Sequence, residues 1–225
     1  MSLSKSPRPS AKFKIMRVLV FGASGGTGRE LVSQALAQGY QVTAFARDPA
    51  KLDINHANLR VAQGNVADYA AVERAVKDQD AVICALGAST PLRRDPILVQ
   101  GVHNIIDAME RAGGGRLIYL SFLGVRNGRS QLSLLGKYIV APLALHNVVA
   151  DHEAKERLIR QSHLNWTIVR APRLTNGRRT GTYRSGDDLG ANAIIPAISR
   201  ADVAEFMLKQ VTDDTYLRKA PAVMY

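Results

Sequence analysis

Gly22, Gly25 and Gly28 stand three residues apart, directly after a short apolar run at 18–21 and directly before a stretch with helical periodicity. These residue types can hold a phosphate. Gly22 lets the chain turn sharply as it leaves a strand. Gly25 puts no side chain where a pyrophosphate must approach the backbone, and Gly28 lets the following helix pack close to the sheet. The free N–H groups and the dipole of that helix then face the anion, and Ser24 and Thr27 can add hydroxyl donors. A second apolar run at 42–45 leads to Arg47, with Lys51 one helical turn further on. Sites for NAD usually carry Asp or Glu at this place to accept from the ribose hydroxyls, whereas sites for NADP carry a cation for the 2′-phosphate. Asp48 is the rival acceptor, but a guanidinium binds phosphate oxygens in bidentate fashion, so the pattern points to NADP(H).

The elements that must position these residues follow the same alternation along the whole chain. Apolar runs at 59–62, 81–86, 116–122 and 167–170 read as further strands, and helical patterns fill 29–38, 69–76, 97–111 and 148–161. Gly113, Gly114 and Gly115 end one helix as a C-cap would, Ser199 caps a last helix over 202–211, and a short strand is expected at 221–224. This order predicts an α/β fold: a single-domain, doubly wound Rossmann fold with a parallel sheet and helices on both faces. In such sheets ligands bind outside the carboxyl ends of the strands. That rule selects Gly64, Asn65 and Val66, then Ala85, Leu86 and Gly87, then Ser121 and Phe122, and last Ala171, Pro172 and Arg173 as candidate walls of a cleft.

Composition sets bounds. With 225 residues, 46% of them hydrophobic and 22% charged, the chain can bury a sizeable core as one domain. Cys84 is the single cysteine, so no intramolecular disulfide can form and a reduced, cytoplasmic setting fits. No apolar run approaches the roughly 20 residues needed to span a bilayer. Residues 1–14 read as a disordered basic extension or expression remnant ahead of a domain over 15–225. The net charge of +11 is spread along the chain without a helix-turn-helix, zinc or aromatic-platform pattern. It fits an anionic cofactor and an acidic small molecule, and neither nucleic acid nor a membrane is expected as partner. His103, His146 and His163 show no metal-ligand pattern. Trp166 reads as core, and Lys155, four residues after Asp151, as the cation of a helical ion pair. His152 is expected to make a surface or interhelical hydrogen bond.

With its loops placed, the chain resembles the atypical short-chain dehydrogenase/reductase family, and within it the biliverdin-IXβ reductase and NADPH-flavin reductase group. The resemblance runs from about residue 16 to the C-terminus. It rests on FGASGGTG at 21–28, FARDPAKL at 45–52, QDAVICALG at 79–87, YLSF at 119–122, DHEAKERLIRQSHLNWTIVRAPRL at 151–174 and ISRADVAEFML at 198–208. It implies that Gly22, Ser24, Gly25, Gly26 and Thr27 hold the pyrophosphate, and that Arg47, assisted by Lys51, takes the 2′-phosphate. It further implies that Asn65 and Val66 flank the adenine, Leu86 and Gly87 line the nicotinamide-side ribose, and Ser121 positions the nicotinamide. The family often works as a monomer, so a monomer or weak homodimer is expected.

Three departures shape the expected chemistry. Asn65 stands where Asp is common. Arg173 stands where biliverdin-type reductases carry a His facing the substrate, and it can contact a substrate anion but does not donate a proton near neutral pH. The Tyr-x-x-x-Lys pair of typical short-chain dehydrogenases is absent, since the spacing to Lys155 begins at Asp151. Alcohol chemistry by that route is therefore not expected. Hydride transfer from NADPH to a conjugated acceptor, such as a flavin or a bilin-like tetrapyrrole, needs mainly orientation and electrostatics from the protein. A rival reading is a regulator of the nitrogen-metabolite-repression type that binds the dinucleotide without turnover. An epimerase or isomerase of the extended type fits less well, because the Tyr is missing and the C-terminal region leaves little room for a sugar-nucleotide lobe. Acceptor specificity is expected in loops at 88–96, 123–145 and 174–192.

Overall fold

Every strand near the middle of the sheet is apolar on both faces, as a sheet covered twice by helices requires. In the computed structural model, which describes residues 15–87, 95–126, 146–190 and 196–225, β1 (Arg17–Phe21), β2 (Gln41–Ala46), β3 (Leu59–Gln63), β4 (Ala81–Cys84), β5 (Arg116–Phe122) and β6 (Asn165–Ala171) lie parallel in one sheet. The expected 1–14 extension lies outside the described residues, as do 88–94, 127–145 and 191–192 of the expected specificity loops. The strand order is β3-β2-β1-β4-β5-β6, extended by two short strands, β10 (Ala222–Met224) and β8 (Arg184–Gly186), the last pair antiparallel. Chain direction across the sheet therefore reverses between β1 and β4, and a crevice opens there at the strands' carboxyl ends.

The period of two along each strand divides the core. Val18, Val20, Ala81, Ile83, Ile118 and Leu120 pack on one face, under α1 (Gly26–Ala37) and α5 (Arg200–Lys209). Leu19, Phe21, Val82, Cys84, Leu117 and Tyr119 pack on the other, under α2 (Tyr69–Val76), α3 (Pro96–Arg111) and α4 (His146–Gln161). Trp166 is buried in this second core, as expected.

Boundaries differ from the sequence reading in instructive ways. The first helix begins at Gly26 rather than at 29, because the glycine turn itself supplies its first residues. The fourth strand stops at Cys84 instead of running to 86, which leaves 85–87 as backbone at the crevice. Gly113, Gly114 and Gly115 all have positive φ just past α3, and the Ser199 hydroxyl accepts from the Asp202 N–H at 3.0 Å, so both helix-end signals hold.

Two further strands, β7 (Arg173–Thr175) and β9 (Ala197–Ser199), form a small parallel pair beyond β6. Asp202, fully buried, anchors this region. It accepts from the N–H groups of Thr180 and Gly181 at 2.8 and 2.9 Å and from the Tyr225 hydroxyl at 2.6 Å. Burial pushes its carboxyl upward, but the hydrogen bonds from Tyr225, Gly181, Thr180 and Ser199 outweigh it and hold the group below its usual range.

Candidate functional site

The glycine turn is built by contact. Gly22 has φ +79°, and a Cβ there would stand 2.6 Å from the Ala85 carbonyl oxygen, so only glycine lets the end of β1 touch the end of β4. A Cβ on Gly28 would meet the Gly22 carbonyl oxygen at 2.0 Å, so helix and turn are in direct backbone contact. Gly25 caps α1 without a side-chain hydrogen bond, and the first turn carries no acid. Its N–H groups and positive dipole end are therefore available to an anion. Gly28→Ala forces the first turn of α1 off Gly22. It is expected to lower stability by roughly 1–3 kcal/mol and dinucleotide affinity at least ten-fold, read by thermal melts and by titration.

Two cavities flank this turn and share Gly25, Ala85, Leu86 and Gly87. The first, about 230 Å³, runs over the ends of β2 and β3. Gly22, Ser24, Arg47, Asn65 and Val66 line it, so five predicted cofactor residues from three separate segments converge there. Asn65 closes its own turn by accepting from the Ala67 N–H at 3.1 Å, and the Val66 carbonyl is held by Asn104 Nδ2 at 2.8 Å. Lys51 lies outside the wall. It is exposed, 3.8 Å from Asp48 Oδ2, and its carbonyl takes a hydrogen bond from Arg29. Asp48 is engaged as well, since its Oδ1 accepts from the Ala50 N–H at 3.2 Å.

The second cavity, about 380 Å³, lies over the ends of β5 and β6 and is lined by Gly26, Thr27, Ser121, His152, Pro172 and Arg200 among others. Arg173 does not line it: its neighbours Pro172 and Leu174 do, while Arg173 between them is exposed. Arg200, which the sequence reading did not single out, does. Its side chain lies against Gly26, where a Cβ would come within 2.7 Å of Cδ and Nε, and it donates to Asn176 Oδ1 at 2.6 Å. The last helix thus brings a cation over the glycine turn. The signal was present in the sequence as a cation directly after the Ser199 cap, but nothing local says what such a residue faces.

Beneath the second cavity, spacing on α4 matches spacing on β5. His152 and Glu156 are one helical turn apart, about 6 Å along the axis. Tyr119 and Ser121 are two residues apart, about 6.6 Å along a strand. The pairs therefore meet in register. The Tyr119 hydroxyl is 3.0 Å from His152 Nδ1, and the Ser121 hydroxyl donates to Glu156 Oε1 at 2.8 Å. Arg170, the register partner of Ser121 on β6, closes the group with two bonds to Glu156, 3.0 Å from Nε and 2.8 Å from Nη2. Sequence reading missed Glu156 and Arg170. The available signal was Arg170 itself, a charge inside a strand apolar on both faces, which demands a buried partner.

The remaining candidates on α4 do other jobs. Asp151 accepts from the Asp95 N–H at 2.9 Å, at the start of α3, rather than presenting a carboxyl to the cleft. Lys155 is buried near Cys84, and burial lowers its pKa against the opposing pull of Cys84, Asp151 and Asp95. Burial also pushes the Cys84 thiol up to about 11 and the Tyr119 phenol well above 10.

Burial first, and Lys155 second, hold the His152 imidazole down at about 3 against an ordinary 6.5. Between those two values the unfolded chain binds a proton that the folded chain refuses. Stability is therefore complete above pH 6.5 and is lost as pH falls toward 3. Because the ring is only half-buried, the slope stays below the limit of about 1.4 kcal/mol per pH unit. Thermal melts from pH 6.5 down to about pH 4 are expected to show the loss, and His152→Gln to flatten it.

A family model described as NAD(P)H-binding matches residues 22–214. The chain belongs to the NAD(P)H-binding family. This bears out the resemblance to atypical short-chain dehydrogenases/reductases with an NAD(P)-binding Rossmann fold. The chain is 27% identical to the photosystem II assembly factor Ycf39 of Synechocystis sp. over 222 residues, covering 93% of this chain and 62% of that protein. It is also 27% identical to the (4-alkanoyl-5-oxo-2,5-dihydrofuran-3-yl)methyl phosphate reductase of Streptomyces griseus, covering 92% and 67%. The chain thus spans about three fifths to two thirds of the length of these relatives. A short-chain dehydrogenase/reductase from Veillonella parvula, solved in complex with NADP, superposes with a TM-score of 0.76 at 21% identity over 92% of this chain and 94% of that one. This last likeness establishes the fold. Among the described residues no helix is long and apolar enough to cross a membrane.

Proposed function

We propose that this chain is an NADPH-dependent reductase that passes a hydride to a conjugated, anionic acceptor such as a flavin or a bilin-like tetrapyrrole. The observation that carries the reading is the pair of cavities joined at the glycine turn, with Arg47 on one wall and Ser121 on the other. Their lining fits an extended dinucleotide. A backbone cradle that admits no Cβ at Gly22 or Gly28, and a helix start without acids, suit a pyrophosphate. Arg200 sets a second cation over the same turn. Arg47 suits a 2′-phosphate, and the contacts of Asp48 with Ala50 and Lys51 compete with its use as an acceptor for NAD.

When bound, NADPH supplies the hydride from its nicotinamide ring. The Ser121 hydroxyl donates its hydrogen bond to Glu156, so its oxygen keeps lone pairs with which it can accept from a carboxamide N–H. The Glu156–Arg170 pair fixes that hydroxyl, and Pro172 and Leu174 line the same cavity. The reductase named among the relatives supports the reaction class.

A second reading, a regulator that binds NADP(H) without turnover, is favoured by one observation: Ser121 and Asp151 both spend their polar groups inside the fold, leaving neither as an acid for a substrate. Titration with NADPH and NADH followed by addition of FMN, biliverdin or a quinone separates the two. NADPH-selective binding with acceptor-dependent oxidation is expected. Tight binding with no oxidation by any of the three acceptors sinks the reductase reading and favours the regulator.

A further inference from the structure

His152 lines the second cavity, and Tyr119, hydrogen-bonded to it, is fully buried. We propose that Tyr119 locks His152 as the Nε2–H tautomer, and that this neutral N–H is the donor that orients a carbonyl or ring nitrogen of the acceptor beside Ser121. The inference rests on the reductase reading for its ligand and on the structure for its geometry.

The tautomer follows from hydrogen-bond accounting. A buried phenol must place its own hydrogen. The Tyr119 hydroxyl lies 3.0 Å from His152 Nδ1, and an imidazole nitrogen without hydrogen is a good acceptor at that distance. The reverse arrangement, Nδ1–H to the phenol oxygen, would leave the phenol hydrogen to find another buried acceptor. With Nδ1 receiving, the imidazole hydrogen sits on Nε2, the nitrogen not turned to Tyr119. The groups around the ring keep it neutral. Burial is the larger cause, and the Lys155 ammonium, one turn along α4, adds its repulsion, while Tyr119 comes from β5. Phenol and imidazole are both held away from ionisation, so the pair exchanges no proton with the medium near neutral pH.

The cavity places this donor to good effect. Ser121 and His152 both line it, and the Ser121 hydroxyl donates its hydrogen bond to Glu156. Ser121 therefore offers an acceptor and His152 a donor, the two complementary groups an amide-like edge of a flavin or lactam ring presents. As the hydride arrives, negative charge grows on the acceptor's oxygen or nitrogen, and a neutral N–H already aimed at it strengthens its bond without reorganisation. The balance is simple. NADPH becomes NADP⁺, the acceptor gains the hydride, one proton comes from water, and His152 keeps its own.

The test combines nitrogen-15 histidine spectra of the NADP⁺-loaded protein with kinetics of variants. The proposal expects His152 protonated on Nε2 and bare on Nδ1, unchanged from about pH 5 to 8, with the Nε2–H signal shifting when FMN is added. Tyr119→Phe should release the lock and give mixed tautomers. His152→Leu should lower kcat/KM for FMN roughly 10- to 100-fold while NADPH affinity stays within about two-fold. His152→Gln, which keeps an N–H donor, should recover most of that loss. An Nδ1–H tautomer or an imidazolium in that range overturns the proposal even where His152→Leu fails to fold. So does full FMN turnover by His152→Leu. If the wild type itself oxidises no NADPH with any acceptor, it is the reductase reading that falls.

Discussion

Titrated with NADPH, Arg47→Ala protein is expected to bind on the order of 100-fold more weakly than wild type, while its affinity for NADH changes by no more than about two-fold. The argument is local. Arg47 follows directly on β2 and lines the first cavity beside Asn65 and Gly64, while its backbone carbonyl is tied to Gln63. A guanidinium there meets a 2′-phosphate with charge-assisted bonds worth about 1.5–3 kcal/mol, and that phosphate is the one group by which the two cofactors differ. Lys51 is exposed and held toward Asp48, so Lys51→Ala should cost far less. Equal losses for NADPH and NADH in Arg47→Ala would mean that the residue serves the fold or the whole cofactor, and the assignment to the 2′-phosphate would fail.

Glu156→Ala is expected to be the most destabilising single change in the site region. Glu156 is fully buried and Arg170 only 4% exposed, so removing the carboxylate strands a guanidinium in the sheet and leaves the Ser121 hydroxyl without its acceptor. Breaking a buried pair from one side costs about 3–5 kcal/mol. For a chain of this size that lowers Tm by on the order of 10 °C. Arg160, 3.6 Å from the same carboxylate, adds to the uncompensated charge. A Glu156→Leu/Arg170→Leu double variant removes both charges and should lose much less stability than the two single changes summed. A thermal melt of Glu156→Ala matching wild type within a degree or two would show that solvent reaches the pair and that the network does not brace Ser121.

Local features carried most of what could be read in advance. The glycine turn and Arg47 are each written within a few residues, because the backbone contacts they make depend on short-range chain geometry, such as Gly28 against Gly22. The apolar runs were legible because central strands buried on both faces hold few polar residues, and a charged one among them, Arg170 in β6, marked a buried partner without naming it. The partner, Glu156, comes from another element, and the meeting depends on how α4 seats on β5 and on the register Ser121↔Arg170. No periodicity records that seating. Arg200 is likewise delivered to Gly26 by the packing of α5 on α1, across nearly the whole chain. The short strands β7, β8 and β9 have three residues each, too few to show alternation, and they form because Asp202 gathers their loop. Which of 172–174 lines the cavity was not legible either: Pro172 and Leu174 do and Arg173 between them does not, an alternation set by the short strand β7.

The account rests on hydride leaving a nicotinamide in the second cavity. The most direct measurement is the rate of FMN-dependent oxidation of NADPH carrying deuterium on one or the other face of the nicotinamide carbon. A fixed cofactor pose beside Ser121 predicts a primary isotope effect with one label and none with the other. Tight NADPH binding with no oxidation of either labelled form by FMN, biliverdin or a quinone would contradict it.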